Sequence, residues 1–217
     1  MPFNDLHGAL AGFKKSLDTT ERLILDSSLW MTIRPPRGIP RFTVHHKIFV
    51  TELSFLRAFL AWEFFLEETF ILYLLGKTAP RGRAPTRIAF PPNRKKAEQL
   101  LLPEDYQYIK WTIAAKVAKR AERFFRNGRP FAPALSTHFN TFDEMRLLRN
   151  AIAHSQSSAQ EKFKALVRRK SSTGTYPPRL TVGGFLEMTV PAVIPPETFF
   201  SNYINKIRAT ADNIVPN

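Results

Sequence analysis

Apolar residues recur at intervals of three and four through most of this chain, the period of a helix rather than a strand. Phe3, Leu6, Leu10, Phe13 and Leu17 make one such stripe and predict a helix over residues 3–30. Pro35, Pro36, Gly38 and Pro40 interrupt the pattern and predict a loop over 33–44. The longest helix is expected from His45 to Leu75, roughly 45 Å if unbroken. Its apolar positions, Phe49, Leu53, Leu56, Leu60, Phe64 and Ile71 among them, run round most of its circumference. A helix of that kind belongs at the centre of a bundle or at an oligomer interface.

Beyond it, prolines and Gly82 alternate with Arg81, Arg83 and Arg87, which predicts a mobile basic loop over 77–93. A short helix over 93–102 has Asn93 as its cap. Another is expected over 105–126, burying Ile109, Ile113, Val117 and Phe124. Gly128, Pro130 and Pro133 break the chain before a helix that starts near Ser136 and runs through 143–154. A basic helix over 159–170 follows. The stretch 171–196 is a proline-bounded arm. In it, Arg179–Val182 and Phe185–Val190 flank Gly183-Gly184, the pattern of a β-hairpin near residues 179–190 with a two-residue turn. Glu197 to Ile214 closes the chain as a helix with Phe200, Tyr203, Ile204 and Ile207 on one side. The expected fold is all-α: a single domain over 1–217, built as a bundle of five to seven helices with a small β-hairpin.

Charge narrows the partners. The chain has 32 Lys and Arg against 18 Asp and Glu, a net charge of +14. Residues 77–129 hold fourteen of those cations and only four acids. A basic block of that size fits a polyanion: nucleic acid, an acidic inhibitor or antitoxin-like protein, or an anionic surface. Lys116, Lys119, Arg123 and Arg126, spaced three, four and three, form a stripe with Arg120 beside it. Glu122 is the one acid among them. Such a ridge binds phosphates without reading sequence, and Arg94, Lys95 and Lys96 extend it. There is no Cys, which excludes disulfides and thiolate metal sites and fits a reducing, cytoplasmic setting. The first residues lack a secretory pattern, and no apolar run reaches the length of a membrane span. No phosphate-binding glycine loop, dinucleotide fingerprint, Ser/His/Asp arrangement or metal-ligand spacing occurs. Neither cofactor nor metal is expected.

The stretch with chemistry in it is Asp143–His154. Met145, Leu148 and Ile152 give it a helical apolar side, and into the same helix are set Arg149, Asn150 and His154. At about 100° per residue these three share an arc of roughly 140°. Burying an Arg, an amide and an imidazole together is costly, so that face looks onto water, a partner or a substrate. A guanidinium can hold two phosphate oxygens and stays charged at any working pH. A His can take or give a proton near neutrality. Arg-x-x-x-x-His alone is unspecific; Arg41 to His46 repeats it in a Pro/Gly-bounded stretch without the Asn.

Leu148-Arg149-Asn150-Ala151-Ile152-Ala153-His154 resembles the signature of the HEPN superfamily, small helical domains of bacterial conflict and defence systems, many of them metal-independent endoribonucleases. Arg57–Glu67, containing Trp62 and Glu63, is similar to the early core helix of that family, especially its branch related to the RiboL-PSP proteins. The resemblance implies a HEPN-like bundle whose copies pair as a homodimer, so that two Arg/Asn/His helices form one cleft. It implies RNA cleavage by the RNA's own 2′-hydroxyl, leaving a cyclic phosphate, in a toxin–antitoxin or antiviral setting. His154 would be general base or acid, Arg149 would stabilise charge on the phosphate, and Asn150 would orient either. Glu63 would be a polar residue lent to the cleft. The rival expectation is a non-catalytic HEPN-like module that binds RNA or a partner protein through the same face, for which the basic ridge suffices.

Overall fold

Helix forms almost wherever the three-and-four period occurs. The computed structural model describes residues 3–102, 110–154, 156–171 and 173–217. Among them the elements are α1 (Leu6–Thr32), α2 (Val44–Leu74), α3 (Arg94–Leu101), α4 (Ala114–Phe124), α5 (Phe131–Ser136), α6 (Phe139–Ala153), α7 (Ser157–Lys170), α8 (Val182–Glu187) and α9 (Phe199–Ile214). No strand occurs among the described residues, only the isolated bridges Arg87 to Phe125 and Thr189 to Thr198. The protein is all-α, with nine α-helices among the described residues where five to seven were expected.

The contacts gather into two compact units. The first comprises Met1–Lys15, Ala61–Asp143 and Lys206–Asn217, the second Ser16–Leu60 and Glu144–Asn205.

The first unit has an aromatic core. Phe13 stacks on Phe65 with ring centres 4.8 Å apart, and Trp62 lies nearly parallel to Phe142 at 5.4 Å. Phe70 meets Phe125 at 5.1 Å and Phe131 at 4.8 Å. Each such ring, fully buried, contributes about 1.5–3 kcal/mol. Asn93 caps α3 as expected, its side chain accepting the Lys96 N–H at 3.0 Å. The helix expected over 105–126 is shorter: Lys110–Ile113 is not helical and α4 begins at Ala114. Ile109 lies outside the described residues. The helix expected from near Ser136 is α6, which begins at Phe139, and the stretch expected as a break before it holds the short helix α5. Pro133 sits in the first turn of α5, where its missing N–H is not needed. The chain breaks again at Thr137-His138 before α6.

The basic loop 77–93, expected to be mobile, is hydrogen-bonded to the rest of the first unit at Arg81 and over 86–88. Arg87 donates to the Leu74 carbonyl at 2.9 Å. The Ile88 N–H donates to Phe124 O at 2.9 Å, the Arg126 N–H to Thr86 O at 2.9 Å, and the Arg81 N–H to Pro216 O at 3.1 Å.

In the second unit Phe55, Met145, Leu148, Phe163, Leu166, Phe185, Phe199 and Tyr203 are buried. Phe185 stacks on Phe199 at 4.3 Å. The β-hairpin expected near 179–190 is instead helix α8. Thr181 caps it by accepting the Gly184 N–H at 3.1 Å, and the two glycines have no positive φ, which the hairpin turn demands. Gly183 serves close approach: a Cβ there would strike the Ile48 carbonyl oxygen, and its N–H donates to Glu52 at 2.8 Å.

Helix α2 does not bury its whole circumference. In the second unit Phe49, Leu53 and Leu60 stay 59%, 48% and 55% exposed, and α1 adds Leu25, Leu29 and Trp30 to the exposed apolar residues there. No helix of the described residues is long and apolar enough to cross a membrane.

Candidate active site

Helix α6 runs from Phe139 to Ala153 without Gly or Pro. Met145, Leu148 and Ala151 are buried and fix its rotation, so Arg149 and Asn150 fall at the half-buried margin and His154 is exposed. His154 is one residue past the helix, yet its N–H still donates to the Asn150 carbonyl at 3.0 Å, so it continues the same winding. Arg149 Nη1 donates to Asn150 Oδ1 at 3.2 Å. No ion pair involves Arg149 among the described residues. The amide holds the guanidinium without neutralising it, and the imidazole stands beyond them in solvent. Together they offer a permanent cation for an oxyanion and a group able to move a proton.

One residue of this site was not singled out from the sequence. Gln160, on α7, donates to the Ala151 carbonyl at 2.9 Å and to the His154 carbonyl at 3.4 Å. The last carbonyls of a helix have no partners within it. Gln160 supplies one and so fastens the backbone that carries His154. The only hint in sequence was a polar residue six positions after the His, which many surface helices also have.

Glu63 lies on α2 in the first unit and is half-buried, whereas Arg149, Asn150 and His154 belong to the second.

The basic ridge lies wholly in the first unit. Lys116, Lys119, Arg123 and Arg126 are exposed, as are Lys95 and Lys96 on α3. A groove of about 260 Å³ runs beside the ridge, lined by Leu100, Lys116, Lys119, Arg123 and Phe124 among others. Arg120 is half-buried with its guanidinium 4.8 Å from the centre of the Trp111 ring. Burial, and then the nearby Arg123, pull its pKa down. Arg94, expected to bind RNA, is paired within the protein. It is bonded to Glu68 through both terminal nitrogens and to Glu98 through Nε at 2.8 Å. Glu68 is only 1% exposed, and an ionised carboxylate at that depth requires a paired cation. Arg94 therefore belongs to the fold.

No group of three or more His, Cys, Asp or Glu among the described residues converges as metal ligands would. Comparison with protein-family models, with curated proteins and with solved structures gave no match to this chain.

Proposed function

We propose that this protein is a metal-independent endoribonuclease of the HEPN kind, acting on RNA as a homodimer. The observation that carries the reading is the Arg149–Asn150 contact at the margin of α6, with an exposed His154 one turn on and no carboxylate paired with Arg149 among the described residues. In the proposed reaction an imidazole takes the proton of a ribose 2′-hydroxyl. The 2′-oxygen then bonds to phosphorus and the bond to the 5′-oxygen breaks. The leaving oxygen takes a proton from an imidazolium, and the product ends in a 2′,3′-cyclic phosphate. Arg149 offsets the charge that grows on the phosphate oxygens, and Asn150 holds it in place.

One helix edge walls only one side of a phosphate, and a two-fold axis supplies the other. The exposed Phe49, Leu53 and Leu60 of α2 support pairing, because a monomer rarely leaves so large an apolar stripe in water. The basic ridge fits an RNA backbone. A defence or toxin–antitoxin setting and an acidic inhibitor suit that chemistry and charge.

The test is purified protein incubated with RNA in excess EDTA, with the new ends analysed. Cyclic phosphate and 5′-hydroxyl ends are expected; an absolute requirement for Mg²⁺ overturns the mechanism. The ridge also sustains a second reading, a non-catalytic RNA-binding module. Binding without cleavage under the same conditions selects it.

A further inference from the structure

We propose that an open cleft of about 680 Å³ in the first unit, with Arg83, Arg126 and Arg129 in its lining, is a binding site for a nucleoside polyphosphate. The site stands apart from the reading of Arg149 and His154 and does not depend on it.

The lining contains those three arginines and no carboxylate. None of the three takes part in an ion pair among the described residues. Three arginines line one concave space, and none can shed its charge. A ligand bearing several negative charges complements them, and each guanidinium can hold two phosphate oxygens.

The cleft is a built one. Arg126 and Arg129 stand at the two ends of a tight turn whose middle residues are Asn127 (φ 57°, ψ 24°) and Gly128 (φ 64°), closed by the Arg129 N–H on the Arg126 carbonyl at 3.4 Å. Two successive left-handed residues suit Asn-Gly. Any side chain at 128 would also meet the Ala132 Cβ at 2.6 Å. Arg83 is delivered to the same space by its loop, which the bonds of Thr86 to Arg126 and Arg81 to Pro216 tie down on either side.

The other walls choose the rest of the ligand. Pro85, Pro130 and Ile214 are flat or apolar, a surface for a nucleobase rather than for more phosphate. The volume falls in the usual small-ligand range of roughly 300–1,000 Å³. A strand of RNA is better served by the open ridge of α4, where the cations face solvent in a line. A concave space of this size with mixed walls fits one nucleotide.

The experiment is calorimetric titration of the full chain with ATP, GTP, tripolyphosphate and adenosine, repeated with two variants. Arg83→Gln/Arg129→Gln removes two charges outside the ridge. Thr137→Trp fills the cleft from its rim and keeps every charge. The unfolding midpoint of each unliganded variant checks that it is folded, and single Arg129→Gln replaces the double variant if that fails. At least one triphosphate is expected to bind about tenfold more tightly than tripolyphosphate, with adenosine weaker still, and both variants should weaken it by about tenfold or more. RNA affinity should be unchanged in both. The proposal is overturned if neither triphosphate binds, if tripolyphosphate binds as well as they do, or if the variants keep full affinity. It is equally overturned if RNA displaces the nucleotide and the arginine variant loses RNA binding by the same factor, for the cleft is then part of the RNA path.

Discussion

Helix α6 carries two polar groups that could hardly be treated more differently. Near its start Glu144 is buried, and its carboxylate receives Lys170 at 2.9 Å, Arg169 at 3.2 Å and the Tyr203 hydroxyl at 3.1 Å. Burial, with Glu144 beside it, pushes the Tyr203 hydroxyl well above its ordinary pKa, so it stays a donor. At the other end Arg149 has an amide for company and His154 faces water. Charge that the fold encloses is supplied with partners in excess, because leaving it bare is costly. Charge left without a counter-ion at the surface is not holding the fold together. The first unit repeats the contrast, with Arg94 committed to Glu68 while Lys116, Lys119 and Arg123 lie exposed on α4.

The contrast can be broken by mutation, beginning with the cation that faces the buried Glu68 carboxylate. Arg94→Ala should lower stability by about 3 kcal/mol, since it strands Glu68. It should leave RNA affinity unchanged, and chemical unfolding beside a binding titration reads both. Glu144→Ala should cost about 2 kcal/mol by leaving the Tyr203 hydroxyl and two cations without their acceptor, again measured by unfolding. Reversing the charge at Lys119 and Arg123 should weaken RNA binding by about tenfold and flatten its salt dependence, because fewer counterions are released. The unfolding midpoint should hardly move; unchanged affinity and slope would make the ridge an ordinary solvated face.

The smallest effect is a pH dependence. Burial, with Glu68 adding to it, holds the Glu67 carboxyl above its ordinary range. The protonated form thus favours the folded state. That contribution is complete below the unfolded carboxylate value and is lost as pH rises through the raised folded value. Glu67→Gln stays neutral throughout, so it should gain on the wild type as pH climbs above the unfolded carboxylate value of about 4. Parallel stability curves for the two proteins would contradict this.

Most of the helical architecture was legible because it rests on a local signal. The stripe Leu6, Leu10, Phe13 and Leu17 is buried as its spacing requires, and Asn93 caps α3 as a β-region Asn before a helix should. What escaped depended on contacts distant in sequence. Gly183-Gly184 carries the local mark of a hairpin turn, yet its role is set by Ile48 and Glu52, more than a hundred residues away. Arg94 sits in a run of three basic residues that looks uniform, and only the fold reveals that Glu68 claims the first of them. The anchoring of the 77–93 loop at Arg81 and over 86–88 was hidden for the same reason: its partners are backbone groups of Leu74, Phe124, Arg126 and Pro216. On α6 the grouping of Arg149 with Asn150 was readable from helical geometry, whereas the anchoring role of Gln160 was not.

The central claim is that the unpaired end of α6 performs chemistry and does not support the fold. It is tested most directly by measuring, on one preparation of His154→Ala, both the rate of RNA cleavage in EDTA and the unfolding midpoint. The account predicts a rate at least about 100-fold below wild type, the usual scale of general acid–base catalysis, with stability within about 0.5 kcal/mol, as for other surface substitutions. Cleavage at the wild-type rate would contradict it, as would a loss of activity matched by a loss of folded protein.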